Sequence, residues 1–334
     1  MPRPSELVES SLARGRSTMK LPLRPPLCEN VVEQKDMTMR SLFERKGQTF
    51  VPTEMCRGPQ GKYGLLHRGP ATALLARAVE MSDGAEGTFV TSVAVEVLRP
   101  ILFESFETFA RLVRRGRAVE VVEAVLSTGA SPVMRMIAVR IRHPHFARAP
   151  RAIDEMRSAA RAERDGAFAA SPERARASSV NTETVVDAPS RFHAWGVEHR
   201  LIRVPCDERG PAADWMRLKV ALLSDEPTSA LCRVCAVADV GLGLSSEPAP
   251  WRSTLAPDLT VRIQRQPQGE WVCVDRTSGR DDADDDGGVG GAITRLFDRK
   301  GSIGHARREQ VVEESRRTRS GDFWIARREQ GAGR

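Results

Sequence analysis

The chain has few aromatic residues for its length of 334 residues. They make up 5% of the sequence, including five Trp and one Tyr. Proteins that bind single-stranded nucleic acids stack bases on aromatic rings, so this scarcity argues against that class despite a formal net charge of +7. Much of the basic excess lies in Arg-rich ends, as at Arg316, Arg317 and Arg319. We expect no nucleic-acid partner, and binding through these ends is the alternative.

Cysteines and long apolar runs are also scarce. Six cysteines spread over the chain do not form the dense pattern of a secreted disulfide scaffold. Cys232 and Cys235 form the only CxxC motif, and no partner motif follows at zinc-like spacing, so we interpret them as buried thiols, with metal or redox use as the alternative. No stretch approaches the roughly 20 apolar residues of a membrane span. We therefore expect a soluble, cytoplasmic protein without membrane span, metal or cofactor.

The sequence does contain a helix followed by strands, twice over. From Pro70, apolar side chains recur at helical spacing. Alternating segments follow as far as Arg142, and we expect the helix to lie on this sheet rather than on another helix. A second small-residue helix over 227–239 precedes another strand series. This order predicts an α+β architecture in two similar halves.

Changes in composition divide the chain into five parts. Residues 1–38 are rich in Arg, Ser and Pro and predict a loose extension. The first ordered domain is expected over 39–142, a linker over 143–190, and the second ordered domain over 191–313. Residues 314–334 form an Arg-rich tail.

Six stretches in this order resemble a known family. They are TFVPTEMCRGP, LLHRGPATALLARAVE, VLRP, CAVADVGLGLSS, PDLTVRIQRQPQGEWVCVD and RKGSIGHA. As a set, they are similar to the double-hotdog acyl-CoA thioesterases related to thioesterase II, over roughly residues 42–313. The resemblance implies two tandem hotdog folds, each a curved antiparallel sheet wrapped around a central helix. It also implies hydrolysis of an acyl-CoA substrate, and we expect a homo-oligomer because exposed sheet edges favour further pairing.

The resemblance implies that Asp239 is the catalytic residue that activates water. GLGLSS lacks the final glycine of the G-x-S-x-G motif, so a serine nucleophile is not supported. Near a helix C-terminus and partly buried, Asp239 is expected to have a raised pKa and to be the more basic for it. The alternative is that Asp239 ends the helix and hydrogen-bonds the glycine-rich turn after it.

The resemblance also points to His67, Gly69 and Arg308 as substrate-binding residues. Backbone N–H groups near Gly69 would face the thioester carbonyl, unless His67 to Pro70 form only the turn into the helix. The family holds its water with a Thr and a Gln beside the Asp. Here Ala256 falls near the Thr position and Arg308 near the Gln position. Because of these departures, a catalytically degenerate acyl-CoA-binding or structural paralogue is the alternative function.

Overall fold

The computed structural model describes residues 41–58, 64–142, 171–178, 190–203, 212–239, 252–255, 258–276 and 288–314. All of them belong to one compact unit. The predicted extension over 1–38, most of the predicted linker, Ala256 and the tail after Glu314 lie outside the described residues.

Strands dominate the described part of the chain. The strands are β1 (Ser41–Lys46), β2 (Thr49–Pro52), β3 (Thr88–Val97), β4 (Phe106–Arg115), β5 (Val119–Thr128), β6 (Ser131–Arg142), β7 (Arg176–Ser178), β8 (Val197–Arg203), β9 (Ala212–Leu218), β10 (Ala221–Leu223), β11 (Arg252–Leu255), β12 (Asp258–Ile263), β13 (Val272–Arg276), β14 (Gly288–Asp298) and β15 (Gly301–Glu314). The helices are α1 (Arg68–Glu80) and α2 (Ala230–Val237), with a short 3-10 turn at Glu54–Cys56 and a π-helical turn at Phe192–Gly196.

One sheet joins the two halves of the chain. Its order is β10-β1-β2-β4-β5-β6-β3-β12-β15-β14-β13-β9-β8-β7, with β11 paired to β15 beside this path. The central junction is antiparallel and sets Ala94 of β3 opposite Thr260 of β12. The end strands β10 and β7 have three residues each. Such short end strands offer little edge to another chain, so the edges add no support for the expected homo-oligomer.

Helix α1 confirms the helix predicted from Pro70, and β3 to β6 confirm the strands predicted after it. It is buried on all sides, since nearly every residue from Gly69 to Val79 is inaccessible to solvent. A helix that is apolar all round lies inside a core rather than on its surface. Helix α1 contacts β4, β5 and β6, as expected of a helix on a sheet. It also packs along α2, so the expectation that it would not lie on another helix is wrong.

The two helices run antiparallel and very close together. Gly69 lies against Ala236, where an added Cβ would be 2.2 Å from the Ala236 carbonyl oxygen. One turn further along α1, the Ala73 carbonyl is 3.4 Å from the Sγ of Cys232. The small residues of α1 therefore allow α2 to pack closely against it, in addition to allowing close packing of the strands. This contact also buries Cys232 and Cys235 as free thiols, as predicted.

Part of the predicted linker is ordered structure. Within 143–190, β7 pairs with β8, and Ala175 packs in a small cluster with Trp215 and Trp271. The boundaries of the two domains remain predictions.

Substituting Gly69 by Ala tests the helix contact, because the contact reverses the expected change in stability. In a solvent-exposed helix, Gly→Ala raises the free energy of unfolding by up to about 1 kcal/mol. Here the new methyl group meets the backbone of α2, so we expect a loss of about 2 kcal/mol in the free energy of unfolding. Urea denaturation of the full chain measures it.

Gly129→Ala is the control, because nothing lies within 4 Å of a Cβ added there. Its cost is limited to the left-handed backbone, about 1 kcal/mol. A Gly69→Ala protein as stable as the unmodified chain, or more stable, contradicts the close contact.

Candidate functional site

Asp239 lies at the end of α2, beside the first residue of α1. Its side chain is 8% exposed. Arg68 binds both of its oxygens: Nε donates to Oδ2 at 2.8 Å and Nη2 donates to Oδ1. Arg308, on β15, brings Nη1 within 3.3 Å of Oδ1. The antiparallel helices thus join an acid and a base that are 171 residues apart in the chain.

The pKa of Asp239 differs from the sequence-based expectation. Burial raises the pKa of Asp239, as expected. The charges of Arg68 and Arg308 and the hydrogen bond from Arg68 together lower this pKa by more than burial raises it. The net pKa lies well below the ordinary value for aspartate. The expected raised pKa is therefore wrong, because the prediction considered burial and the helix dipole without the two arginines. Asp239 is ionised at neutral pH.

His67 and Gly69 form the N-terminal cap of α1. The Gly69 N–H donates to Nδ1 of His67 at 3.0 Å. In this arrangement the Gly69 N–H already has a partner, and a thioester oxygen would have to replace the imidazole nitrogen. Desolvation lowers the pKa of His67 to about 4, although the nearby Asp239 opposes this shift. His67 is therefore neutral at pH 7.

Arg308 carries an unused hydrogen-bond donor, its Nε–H, beside its contact with Asp239. Its Nε is buried and has no hydrogen-bond partner among the residues that the structure describes. Burial lowers the pKa of Arg308 to about 10, which leaves it cationic at pH 7. Thr260 pairs with Arg307 across β12 and β15. Cross-strand partners share a face and successive residues alternate, so Thr260 lies on the face opposite to Arg308 and does not join the site.

Four polar residues near this cluster were missed by sequence reasoning. Arg68 had a detectable signal, since it directly follows His67 at the start of a helix. His193, His199 and Asp214 had none, because no regular spacing connects them to each other or to Asp239. In the fold, Nε2 of His193 lies 3.1 Å from Nε2 of His67.

The π-helical turn explains how His193 reaches His67. The N–H of Phe192 donates to the carbonyl of Arg57 at 3.2 Å, which holds the turn against the N-terminal half. The Phe192 ring then lies 4.8 Å from the imidazole of His67, measured between ring centroids. Residues from both halves therefore surround the start of α1.

A cavity of about 200 Å³ lies at the other end of α1. Glu80, Arg140 and Leu231 are among the residues that line it, and the lining includes none of the predicted site residues. The converging charges at Asp239, rather than this cavity, locate the candidate site.

Solved structures define the class of protein to which this fold belongs. A hotdog-fold protein of unknown function from Alicyclobacillus acidocaldarius matches at 15% identity and a TM-score of 0.56, over 81% of this chain and 95% of that one. A candidate thioesterase II from Thermobifida fusca YX matches at 14% identity and a TM-score of 0.55, over 82% and 96%. A candidate thioesterase from Novosphingobium aromaticivorans DSM 12444 matches at 13% identity and a TM-score of 0.55, over 81% of this chain and 98% of that one. The chain has a hotdog fold.

Two family models identify the family. The acyl-CoA thioesterase N-terminal domain matches residues 57–141, and the acyl-CoA thioesterase C-terminal domain matches residues 155–312. The chain belongs to the acyl-CoA thioesterase family, as the sequence resemblance predicted. No curated protein matches it. Within the described ranges, no helix is long and apolar enough to cross a membrane.

Substituting Asp239 by Asn tests the buried ion cluster through stability. The change leaves Arg68 and Arg308 without their buried counter-charge, so we expect a loss of about 3 kcal/mol in unfolding free energy at pH 7. Because folding lowers the pKa of Asp239, its stabilisation is complete above the ordinary aspartate pKa and falls as the pH drops below it. Urea denaturation from pH 7 to pH 3 should show the two proteins converging only below about pH 4.

Asp225→Asn is the matched control, since Asp225 is 51% exposed and lies 3.5 Å from Nε of Arg45. Its loss should stay under about 1 kcal/mol. Equal losses for the two variants at pH 7 contradict the buried cluster.

Proposed function

We propose that this chain hydrolyses an acyl-CoA thioester to a free acid and CoA, with water as the nucleophile, at the cluster around Asp239. The observation that carries the proposal is the convergence of Asp239, Arg68 and Arg308 from three separate elements on one largely buried point. Membership of the acyl-CoA thioesterase family supports the reaction class. It also makes acyl-CoA the expected substrate.

The proposed architecture is two tandem hotdog folds, each with its sheet curved around its helix. Helix α1 contacts β4, β5 and β6 of the N-terminal half, and α2 contacts β9 and β13 of the C-terminal half. The halves meet through β3 and β12 and through the two helices. The candidate site lies at this junction, where a substrate would contact residues of both halves.

In the proposed reaction, ionised Asp239 accepts a hydrogen bond from the attacking water. Its low pKa makes it a weak base, so its main contribution is to orient the water rather than to remove the proton early. Arg68 fixes the carboxylate by its two hydrogen bonds. The Nε–H of Arg308 is the proposed donor to the thioester oxygen as negative charge develops there.

The remaining partners follow from the chemistry of the substrate. Lys and Arg side chains of the basic chain would bind the phosphates of CoA. His67 and Gly69 would contact the thioester at the start of α1. A homo-oligomer remains part of the proposal.

A non-hydrolytic acyl-CoA-binding paralogue is the second candidate, and two observations favour it. Arg68 already engages both oxygens of Asp239, and Arg308 stands near the position where the family resemblance predicts Gln. Arginine has donors but no acceptor, so it cannot replace the acceptor of an amide.

Thiol release from acyl-CoAs of several chain lengths tests hydrolysis. We expect turnover, and a loss of at least about 100-fold in kcat/KM for Asp239→Asn, because the amide carries no charge and its single acceptor oxygen cannot hold both Arg68 and the water. Asp225→Asn should keep the activity of the unmodified chain. Calorimetric binding of the same acyl-CoAs without thiol release would instead support the paralogue.

The Arg68→Gln variant separates the two roles of Arg68. If Arg68 positions a working Asp239, this variant loses activity together with Asp239→Asn. If Arg68 masks Asp239, the variant gains turnover. An Asp239→Asn protein with unchanged turnover rules out the proposed site.

A further inference from the structure

Three histidines and an aspartate form a row behind the start of α1. Nε2 of His67 lies 3.1 Å from Nε2 of His193. The rings of His193 and His199 follow at 5.4 Å between centroids. Nδ1 of His199 is then 2.6 Å from Oδ2 of Asp214, a fully buried carboxylate. The reaction outlined above gives no role to the last three residues of this row.

The hydrogen bonds at the Gly69 end fix where the protons lie. Nδ1 of His67 accepts the Gly69 N–H, so it carries no proton. In a neutral imidazole the proton is then on Nε2, which donates to Nε2 of His193. His193 must accept at Nε2, and its own proton is therefore on Nδ1. The lowered pKa values of His67 and His193, caused mainly by desolvation, agree with neutral rings.

The hydrogen bonds at the Asp214 end fix the protons in the same direction. Oδ1 of Asp214 accepts the backbone N–H of Arg200 at 2.9 Å. Oδ2 faces Nδ1 of His199. Burial raises the pKa of Asp214, while the hydrogen bonds from His199 and Arg200 oppose this shift, and with Asp214 ionised Nδ1 of His199 is the donor. In neutral His199 the second nitrogen, Nε2, is then an acceptor.

The two ends meet in a matched pair of atoms. Nδ1 of His193 and Nε2 of His199 are both buried, and neither has a hydrogen-bond partner within the described chain. Nδ1 of His193 carries a proton and is a donor, whereas Nε2 of His199 with its proton on Nδ1 is an acceptor. Buried polar atoms in proteins are nearly always paired, and these two have complementary roles on adjacent rings.

We propose that Asp214, His199, His193 and His67 form one directional hydrogen-bond chain that holds the proton of His67 on Nε2. Its middle link, from Nδ1 of His193 to Nε2 of His199, is not formed in the structure and requires the two adjacent rings to move into hydrogen-bond distance. This chain leaves Nδ1 of His67 free to cap α1. The cap fixes the first turn of α1, where Arg68 forms an ion pair with Asp239. Asp214, His199 and His193 are thus positioning residues that act through His67, and their effect on activity rests on the proposed hydrolase function.

Nitrogen-15 NMR of the full-length protein at pH 7 tests the chain without any substrate. Long-range proton–nitrogen spectra distinguish the two neutral tautomers of histidine. We expect Nε2–H for His67 and Nδ1–H for both His193 and His199. An Nε2–H tautomer at His193, or a protonated His193, overturns the proposal whatever the variants do.

The Asp214→Asn variant tests whether the row is coupled across the 5.4 Å step. An amide has one acceptor oxygen, which the Arg200 N–H requires, so its NH₂ group would face His199. His199 should then carry its proton on Nε2, where it opposes the donor of His193. We expect the tautomer signals of both His193 and His67 to change. Unchanged signals at these two residues show that the row is not one chain, and overturn the proposal.

His305→Gln is the control for the spectra, because His305 lies on β15 outside the row. It should leave the three tautomers as they are. In thioester hydrolysis, Asp214→Asn should lower kcat by about 10-fold, with KM nearly unchanged, as expected for loss of a supporting hydrogen bond. If the unmodified protein hydrolyses no thioester, the proposed function is wrong. The NMR result still shows whether the hydrogen-bond chain exists.

Discussion

The close antiparallel contact of α1 and α2 is the constraint on which the rest of the structure depends. Gly69 allows the α1 backbone to reach the carbonyl of Ala236, which no side chain would permit. Antiparallel packing sets the positive N-terminal end of α1 beside the negative C-terminal end of α2, so the helix dipoles attract. The same geometry brings Arg68 to Asp239. The helix packing and the ion pair between Arg68 and Asp239 therefore form together, and a change that disturbs the helix contact also disturbs the candidate site.

At this contact one carboxylate lies between two guanidinium groups. A buried acid with no cation beside it would have a raised pKa, whereas Asp239 lies between two arginines and has a strongly lowered one. Its charge is stable at neutral pH, and it orients a neighbouring donor better than it removes a proton. The same pairing supports either a slow hydrolase or a binding protein. The difference depends on whether Arg68 remains on the carboxylate when the substrate is bound.

The sequence predicted much of the fold from local patterns. Apolar residues at helical spacing after Pro70 predicted α1, and alternating residues predicted β3 to β6. The resemblance of six short stretches predicted the family and selected Asp239, His67, Gly69 and Arg308, which the fold gathers around the start of α1. It did not predict the helix–helix contact, because small residues in a helix accommodate a neighbouring strand and a neighbouring helix equally well.

The sequence by itself thus determined α1, the strands β3 to β6 after it and the acid at the end of α2, since these follow from periodicity and from local motifs. Only the tertiary structure decided the protonation of Asp239 and the row of histidines from His67 to His199. A pKa depends on the charges within a few ångströms in space, and Arg68 and Arg308 are far from Asp239 along the chain. Likewise, His193 reaches His67 through a turn, and Asp214 reaches His199 through a strand pairing, and no spacing in the sequence encodes either contact.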